Sequence, residues 1–142
     1  MYTELTLVAR GNILPSRFVQ LDSSTECGCV QAGANANIIG VAQSGTNLPQ
    51  VTGFVNAQYA ATNGQQVMVA GLGSICLVEA GDEITPGQYL KSDANGRAVP
   101  IDTTATTIQN YGAIALQGAS GAGEKIRVQV IIGKVRPALP ES

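Results

Sequence analysis

Histidine and tryptophan are absent from this chain, and only 13% of its 142 residues are charged. Histidine is the usual base that activates a serine or cysteine nucleophile, so its absence removes the commonest catalytic arrangements. The lysines that remain as candidate bases, Lys91, Lys125 and Lys134, lie in alternating segments where we expect their side chains to face solvent. We therefore predict no catalytic residue and no enzyme activity.

Long apolar stretches and clusters of basic residues are also missing. No segment approaches the 18 consecutive apolar residues that a membrane helix needs, and the first ten residues, "MYTELTLVAR", lack a positive region followed by an apolar one. The net charge is −2 and the Lys and Arg residues are scattered singly, so no basic stripe could neutralise a series of phosphates. We expect neither a cleaved signal, nor a membrane span, nor a nucleic-acid partner.

Two acidic or glycine-rich patterns resemble ligand sites but are better explained as turns. The segment "GASGAGEK" at 118–125 lacks the Lys directly after the last glycine that a phosphate-binding loop requires, and Glu124 stands there instead. We expect a hairpin loop. Aspartates at turns accept hydrogen bonds from their own backbone, and no cofactor or metal site is expected. The acidic residues interpreted in this way are Asp22, Asp82, Glu83, Asp93 and Asp102.

The three cysteines, Cys27, Cys29 and Cys76, cannot all pair within one chain. In a strand, Cys27 and Cys29 would share one face. We expect all three to be small buried apolar residues in a reducing compartment. A zinc site is the alternative, although two thiolates without a histidine or a second cysteine pair make an incomplete ligand set.

What the chain does contain is typical of β-structure. Short apolar or alternating segments, rich in Val and Ile, are separated by turns that hold many of the 17 glycines. They predict an all-β fold, a compact β-barrel or sandwich of about ten short strands with no amphipathic helix. The predicted strands are 5–9, 17–21, 28–33, 37–43, 66–70, 74–79, two in a hairpin over 88–101, 110–118 and 124–135, with 66–79 forming a further hairpin around the turn at 71–73.

The length is that of a single β domain covering residues 1–142. Residues 1–9 are predicted to be an N-terminal arm or an edge strand. Residues 44–65 lack clear periodicity and are interpreted as a long loop excursion, with one strand near 51–56. Residues 136–142 contain two prolines and are expected to form an extended C-terminal tail.

The sequence also repeats itself. "ILPSRFVQLD" at 13–22 and "ITPGQYLKSD" at 84–93 lie 71 positions apart, and "IIGVAQ" matches "NYGAIAL" when one residue is inserted, which aligns Gly40 with Gly112. One explanation is an internal duplication that produces two similar β-layers packed against each other. The other is that two hairpins converged on the same turn chemistry.

The order "ILPSRFVQLD…CVQAG…NIIGVAQSG", followed by "VMVAGLGSICLVEAGDEITPGQYLKSDANGRAVP…NYGAIALQGASGAGEKIRVQVI", resembles the capsid decoration (cement) proteins of tailed bacteriophages over residues 11 to 132. The resemblance rests on order and spacing, since the individual elements are mostly Gly, Val and Ala. The long 44–65 segment and the near-equal halves depart from that family's pattern.

The resemblance implies a structural protein that binds the outer surface of a phage head and stabilises the shell by bridging subunits of the major capsid protein. It would be made in the bacterial host cytoplasm and located on the outer capsid of the virion. We expect a homo-oligomer, with a trimer favoured, or contacts between lattice neighbours. The alternative is a phage tail or baseplate piece or a carbohydrate-recognition module, which the absence of Trp makes less suited to stacking on sugars.

The residues predicted to contact the shell or a neighbouring copy lie in the terminal arms and in the 44–65 segment. An extended N-terminus can add to a neighbour's sheet edge, or it can be an ordinary first strand of its own sheet. Aromatic residues are enriched at interfaces, although core filling is the favoured alternative for Phe54. The predicted contacts are Tyr2, Glu4, Leu5, Phe54, Tyr59, Arg136 and Leu139.

Overall fold

The computed structural model describes residues 4–45, 60–104 and 107–135, with backbone alone at 4, 5, 44 and 45. These residues form ten strands and no helix, which confirms the all-β prediction. The strands are β1 Glu4–Ala9, β2 Phe18–Leu21, β3 Gly28–Gln31, β4 Ile38–Gly45, β5 Gln66–Ala70, β6 Ile75–Glu79, β7 Tyr89–Ser92, β8 Ala98–Pro100, β9 Gln109–Ala115 and β10 Lys125–Val135.

The first five strands form a closed barrel in the order β1-β3-β2-β4-β5, and the last five form a sheet in the order β6-β10-β9-β7-β8. Most neighbours are antiparallel, but β1 runs parallel to β3, where Ala9 pairs with Cys29. The second sheet has one parallel bridge at the matching place, between Ala80 and Ala98. The strands of the second half are therefore arranged like those of the first. The difference is that a single bridge joins the residue after β6 to β8, whereas β1 and β3 form a strand pair.

The pairing registers confirm the internal duplication. β2 and β7 begin 71 positions apart, and so do β1 and β6. The pairing of β2 with β4 shifts between Val19 and Gln20, while that of β7 with β9 shifts between Leu90 and Lys91, the same positions of the repeat. Convergent hairpins would not share a bulge and a parallel contact, so the two halves are one structural unit used twice.

The registers correct the sequence alignment at one strand. Val19 pairs with Gly40, and Leu90, its counterpart, pairs with Ala113. Gly40 therefore corresponds to Ala113 and not to Gly112, because the offset between the halves grows from 71 at β2 and β7 to 73 at β4 and β9. Sequence comparison had matched the two glycines by type.

The Pro86-Gly87 corner is the type II turn that its sequence predicts. Gln88 N–H donates to Thr85 O over 3.2 Å, and Gly87 has a φ of 92°. The corresponding residue of the first half is Ser16, which adopts a φ of 62° despite its side chain. The same corner therefore precedes β2 in the first half and β7 in the second.

Two hydrophobic clusters fill the molecule. One lies inside the barrel and contains only first-half residues, with Val19, Val67 and Val69 among them. The other fills the second half and also includes four residues from the first half, which lie on the side of β2, β4 and the neighbouring loop that faces away from the barrel interior. These four are Phe18, Ala32, Ile38 and Val41.

Hydrogen bonds and one ion pair also join the halves. Glu79 N–H donates to Ser16 O over 2.9 Å, and Asn35 N–H donates to Ser92 O over 3.0 Å. The two sheets therefore share both a core and a polar boundary.

One predicted hairpin is wrong. The strands around the glycine-rich turn at 71–73 do not pair with each other: β5 pairs with β1 and β4, whereas β6 pairs with β10. The turn instead connects the two halves. The glycine-rich turn predicted that β5 and β6 would pair. Each strand instead pairs with strands of its own half of the repeat.

Among the described residues, no helix is long and apolar enough to cross a membrane. The predicted strand at 51–56 and the tail at 136–142 lie outside the described residues, as do positions 105 and 106.

Candidate functional site

Two of the residues predicted to contact a partner, Glu4 and Leu5, lie in the described part of the chain. Glu4 and Leu5 belong to β1, where they pair with Ala70 and Val69 of β5. β1 also pairs with β3, so it has a hydrogen-bonded neighbour on each side and is not an edge strand. Tyr2, Phe54, Tyr59, Arg136 and Leu139 lie outside the described residues.

The described part of the chain has a different candidate, on the solvent face of the second sheet. Ile75 and Leu77 of β6 are 61% and 44% exposed. Gln129 and Arg127 of β10 lie directly opposite them. Because directly opposed residues of antiparallel strands point to the same side, these four side chains share one face.

The same face continues onto the end of β9. Ile114 lies opposite Gln129, and the N–H of Leu116, which follows β9, donates to Arg127 O over 3.0 Å. Leu116 is 43% exposed. We call the set of Ile75, Leu77, Leu116 and Arg127 the outer patch.

The first half shows that the fold does not require apolar residues here. By register, Ile75 corresponds to Glu4 and Leu77 corresponds to Thr6. Leu116 corresponds to Gln43, one residue beyond the matching pairs of β4 and β9. Exposed apolar side chains that replace polar ones on the same scaffold indicate a surface that contacts another molecule.

Sequence reasoning missed the outer patch, although a signal was present. The segment "ICLV" at 75–78 has four consecutive apolar residues, whereas an edge strand with one solvated face normally alternates. The matching segment "ELTL" at 4–7 does alternate. This difference in alternation indicates a surface only once the strand pairing shows that β6 corresponds to β1.

Three aspartates of the described residues, Asp22, Asp93 and Asp102, accept hydrogen bonds within their own turns, as the sequence predicted. Hydrogen bonds from the backbone and hydroxyl of Ser24 lower the pKa of Asp22, and those from Thr104 lower the pKa of Asp102. Asp93 accepts from the N–H groups of Asn95 and Arg97. Within the described ranges, no group of three or more potential metal-binding side chains occurs.

The segment at 118–125 is the hairpin loop between β9 and β10. Its Glu124 carboxylate accepts hydrogen bonds from the N–H and hydroxyl of Ser120, each 2.6 Å long, and from Gly121 N–H. These bonds lower the pKa of Glu124, the two from Ser120 most. The Glu124 carboxylate accepts from the loop's own N–H and hydroxyl groups. In a phosphate-binding loop, such donors would be available to bind the phosphate.

The expectation of three buried cysteines is wrong for Cys27. β3 begins at Gly28, so Cys27 lies in the preceding turn with a φ of 56° and is exposed. Cys29 is buried and Cys76 is partly buried, and burial raises the pKa of each thiol to about 11. Cys27 and Cys29 therefore do not share a strand face, and all three thiols are free.

The fold and the outer patch together define a class. The molecule is an all-β scaffold whose distinctive surface is an apolar face with one arginine in it, the composition of a protein-binding surface.

The comparisons narrow this class to a family. The family model for phage cement proteins matches residues 3–130, and the chain belongs to that family. It is accordingly a structural protein of a bacteriophage, associated with the capsid of the virion.

A solved structure, the N base of the head fiber gp8.5 of bacteriophage phi29, is similar to this chain with a TM-score of 0.59 and 19% sequence identity. The match covers 92% of this chain and 95% of that one, and it supports the fold. No curated protein matches the chain.

Proposed function

We propose that this protein binds the outer surface of a tailed-phage head through its outer patch and stabilises the shell by bridging subunits of the major capsid protein. The observation that carries the proposal is the replacement of Glu4, Thr6 and Gln43 of the first half by Ile75, Leu77 and Leu116 in the second. At these three positions the second half carries apolar residues where the first half carries polar ones, whereas Arg127 takes the place of Met68, which is 38% exposed.

The composition of the outer patch fits a contact between proteins. Buried interface cores are apolar, and arginine is the charged residue that they favour, because its planar group stacks and donates several hydrogen bonds. Arg127 lies between Leu77 and Leu116, so it would approach the shell surrounded by apolar side chains.

The body behind the patch is built to resist deformation. The first half is a closed barrel, and Phe18, which is fully buried, fills the second half's core from the first. A body that binds the assembled shell but not its separated subunits stabilises the shell by mass action. Many copies with a modest contact each would oppose separation of the subunits under the pressure of packaged DNA.

The finer predictions on assembly stand with this proposal. The protein would be synthesised in the host cytoplasm and join the head as a homo-oligomer, with a trimer favoured, or as contacting lattice neighbours. Residues predicted from the sequence would extend the contact beyond the outer patch. They remain predictions and are Tyr2, Glu4, Leu5, Phe54, Tyr59, Arg136 and Leu139.

The test is a binding assay on expanded heads that lack the protein. The variant Ile75→Glu/Leu77→Thr/Leu116→Gln places on the second half the residues that the first half already accommodates, so its fold should be retained. We expect its affinity for heads to fall by about a hundredfold or more, as when several central interface residues are lost.

A matched control removes exposed apolar side chains elsewhere. The variant Leu72→Thr/Ile108→Thr changes residues that are 58% and 56% exposed and lie outside the patch, and it should bind like wild type. Cryo-electron microscopy of decorated heads should show each copy over a junction between capsid subunits. Wild-type protein that leaves heads bare would overturn the proposal and direct attention to the tail, baseplate or carbohydrate alternative.

A further inference from the structure

A cavity of about 210 Å³ opens on the second half. It lies at the start of β7 and the end of β8, away from the Ile75 and Leu77 end of the sheet. It is lined by Gly87, Gln88, Tyr89, Pro100, Ile101 and Thr103.

At the corresponding place of the first half, the described residues are covered by a turn of the second half. The counterparts of Gln88, Tyr89 and Pro100 are residues 17, 18 and 31 of the first half. The turn at Asn95 and Gly96, in the hairpin between β7 and β8, rests on these three residues.

The contact is close and specific. Phe18 N–H donates to Gly96 O over 2.8 Å. Arg17 Nη1 and Gln31 Nε2 both donate to Asn95 O, over 2.9 and 2.8 Å. A Cβ at Gly96 would lie only 2.9 Å from Gln31 Cγ, so the turn is pressed against the first half.

The first half carries the counterpart of this hairpin, between β2 and β3, and leaves it exposed. Leu21 pairs with Cys29 at its base, as Ser92 pairs with Ala98 in the second half. Ser92 is buried, whereas Leu21 is 54% exposed. The tip residues Ser23, Ser24, Glu26 and Cys27 are exposed as well.

In the first half, residues 17, 18 and 31 are covered by the β7–β8 hairpin, while the β2–β3 hairpin is exposed. In the second half, the β7–β8 hairpin is the one in contact, while the cavity at Gln88, Tyr89 and Pro100 is open. We propose that the hairpin over residues 22–28 of one copy occupies the cavity of a second copy, repeating between chains the contact that joins the halves within a chain. The contact is separate from the outer patch, and it does not rest on shell binding.

Differences between the halves fit this occupant. The hairpin between β2 and β3 is two residues longer than that between β7 and β8, and Thr25 and Glu26 bring side chains where Gly96 has none. The cavity replaces the long Arg17 and Gln31 side chains with Gln88 and Pro100.

The contact joins unlike surfaces, so it is head-to-tail. Head-to-tail contacts close into a ring when the rotation between copies allows it and otherwise extend into a filament. The hairpin contact that joins the two halves within a chain would then recur between each copy and the next. In a closed ring, first and second halves would alternate around the axis.

The test is disulfide capture between copies, using the native thiol of Cys27 at the hairpin tip. In the variant Gln88→Cys, mild oxidation of the purified full chain should give covalent dimers and larger species on a non-reducing gel. Adding Cys27→Ser should abolish them. The matched control Glu83→Cys places a thiol at an exposed position outside the cavity and should remain monomeric on the gel.

Sedimentation velocity gives an independent readout. Wild type should form a species larger than a monomer, and Ile101→Arg, which fills the cavity with a charged side chain, should raise the dissociation constant by at least about tenfold. Ile108→Arg, at an exposed residue outside the cavity, should not. A wild-type monomer at about 100 μM, or cross-linking that is independent of Cys27, would overturn the proposal.

Discussion

Arg17 and Glu79 form an ion pair across the boundary between the two halves, with 3.0 Å between Nη2 and Oε2. Their side chains are 12% and 20% exposed. Arg17 also donates from Nη1 to Asn95 O, so one guanidinium contacts the second half at two points. Its counterpart in the second half is Gln88, which lines the open cavity.

Loss of this guanidinium should weaken the joint between the halves. We expect Arg17→Ala to lower the free energy of unfolding by about 1–3 kcal/mol, because it leaves the partly buried Glu79 carboxylate without its donor and removes one of the two hydrogen bonds to Asn95 O. Arg17→Lys keeps the charge but cannot reach both acceptors, and it should restore less than half of the loss. Urea denaturation measures both, with Arg10→Ala as the exposed control. A lysine variant as stable as wild type would mean that charge alone matters here.

Gly112 is required by packing between the halves. A Cβ at this position would lie 2.7 Å from Ile38 Cγ2 and 2.8 Å from its Cδ1, inside the second core. We expect Gly112→Ala to cost about 1–3 kcal/mol of stability, the usual cost of overpacking. The matched control is Gly121→Ala, where nothing lies within 4 Å of the added Cβ. Equal thermal unfolding of the two variants would contradict the close packing.

The hairpin loop between β9 and β10 should make stability depend on acid pH. The pKa of Glu124 is lowered below its ordinary value of 4.5 in the folded state, mainly by the hydrogen bonds from Ser120. A lowered pKa adds stability that is present above pH 4.5 and is lost as the pH falls through the folded-state value. Glu124→Gln should therefore lose less stability than wild type between pH 5 and pH 3.

The measurement is the melting temperature at several pH values across that range. Ser120→Ala removes one of the donors and should give an intermediate dependence. If all three proteins lose the same stability on acidification, the loop carboxylate contributes nothing to it.

The three thiols should separate into one reactive and two protected groups. Cys27 is exposed, whereas burial raises the pKa of Cys29 and Cys76 to about 11 and keeps both as thiols at pH 8. At low protein concentration, a disulfide reagent should modify one thiol rapidly in the native protein and three after denaturation. Cys27→Ser should remove the rapid phase. Rapid modification of all three would contradict the described burial.

Sequence patterns predicted the strands well because strand formation here follows local alternation and turn chemistry. The segments around Phe18 and Tyr89 were recognised as related strands from their shared proline corners. Pairing between β5 and β6 was predicted wrongly, since neighbours are chosen by non-local contacts. The outer patch was missed for a similar reason: Ile75 and Leu77 appear as core residues until the register of the repeat shows which face they occupy.

The single bridge between Ala80 and Ala98 leaves the second half with strand edges that the closed barrel lacks. Exposed edges invite addition of strands from other molecules, which is the route to fibrous aggregates. β8 counters this with only three residues and with Pro100, which has no N–H, where the barrel has Gln31. The second half therefore carries a short, proline-bearing edge that is poorly suited to pair with a strand of another molecule.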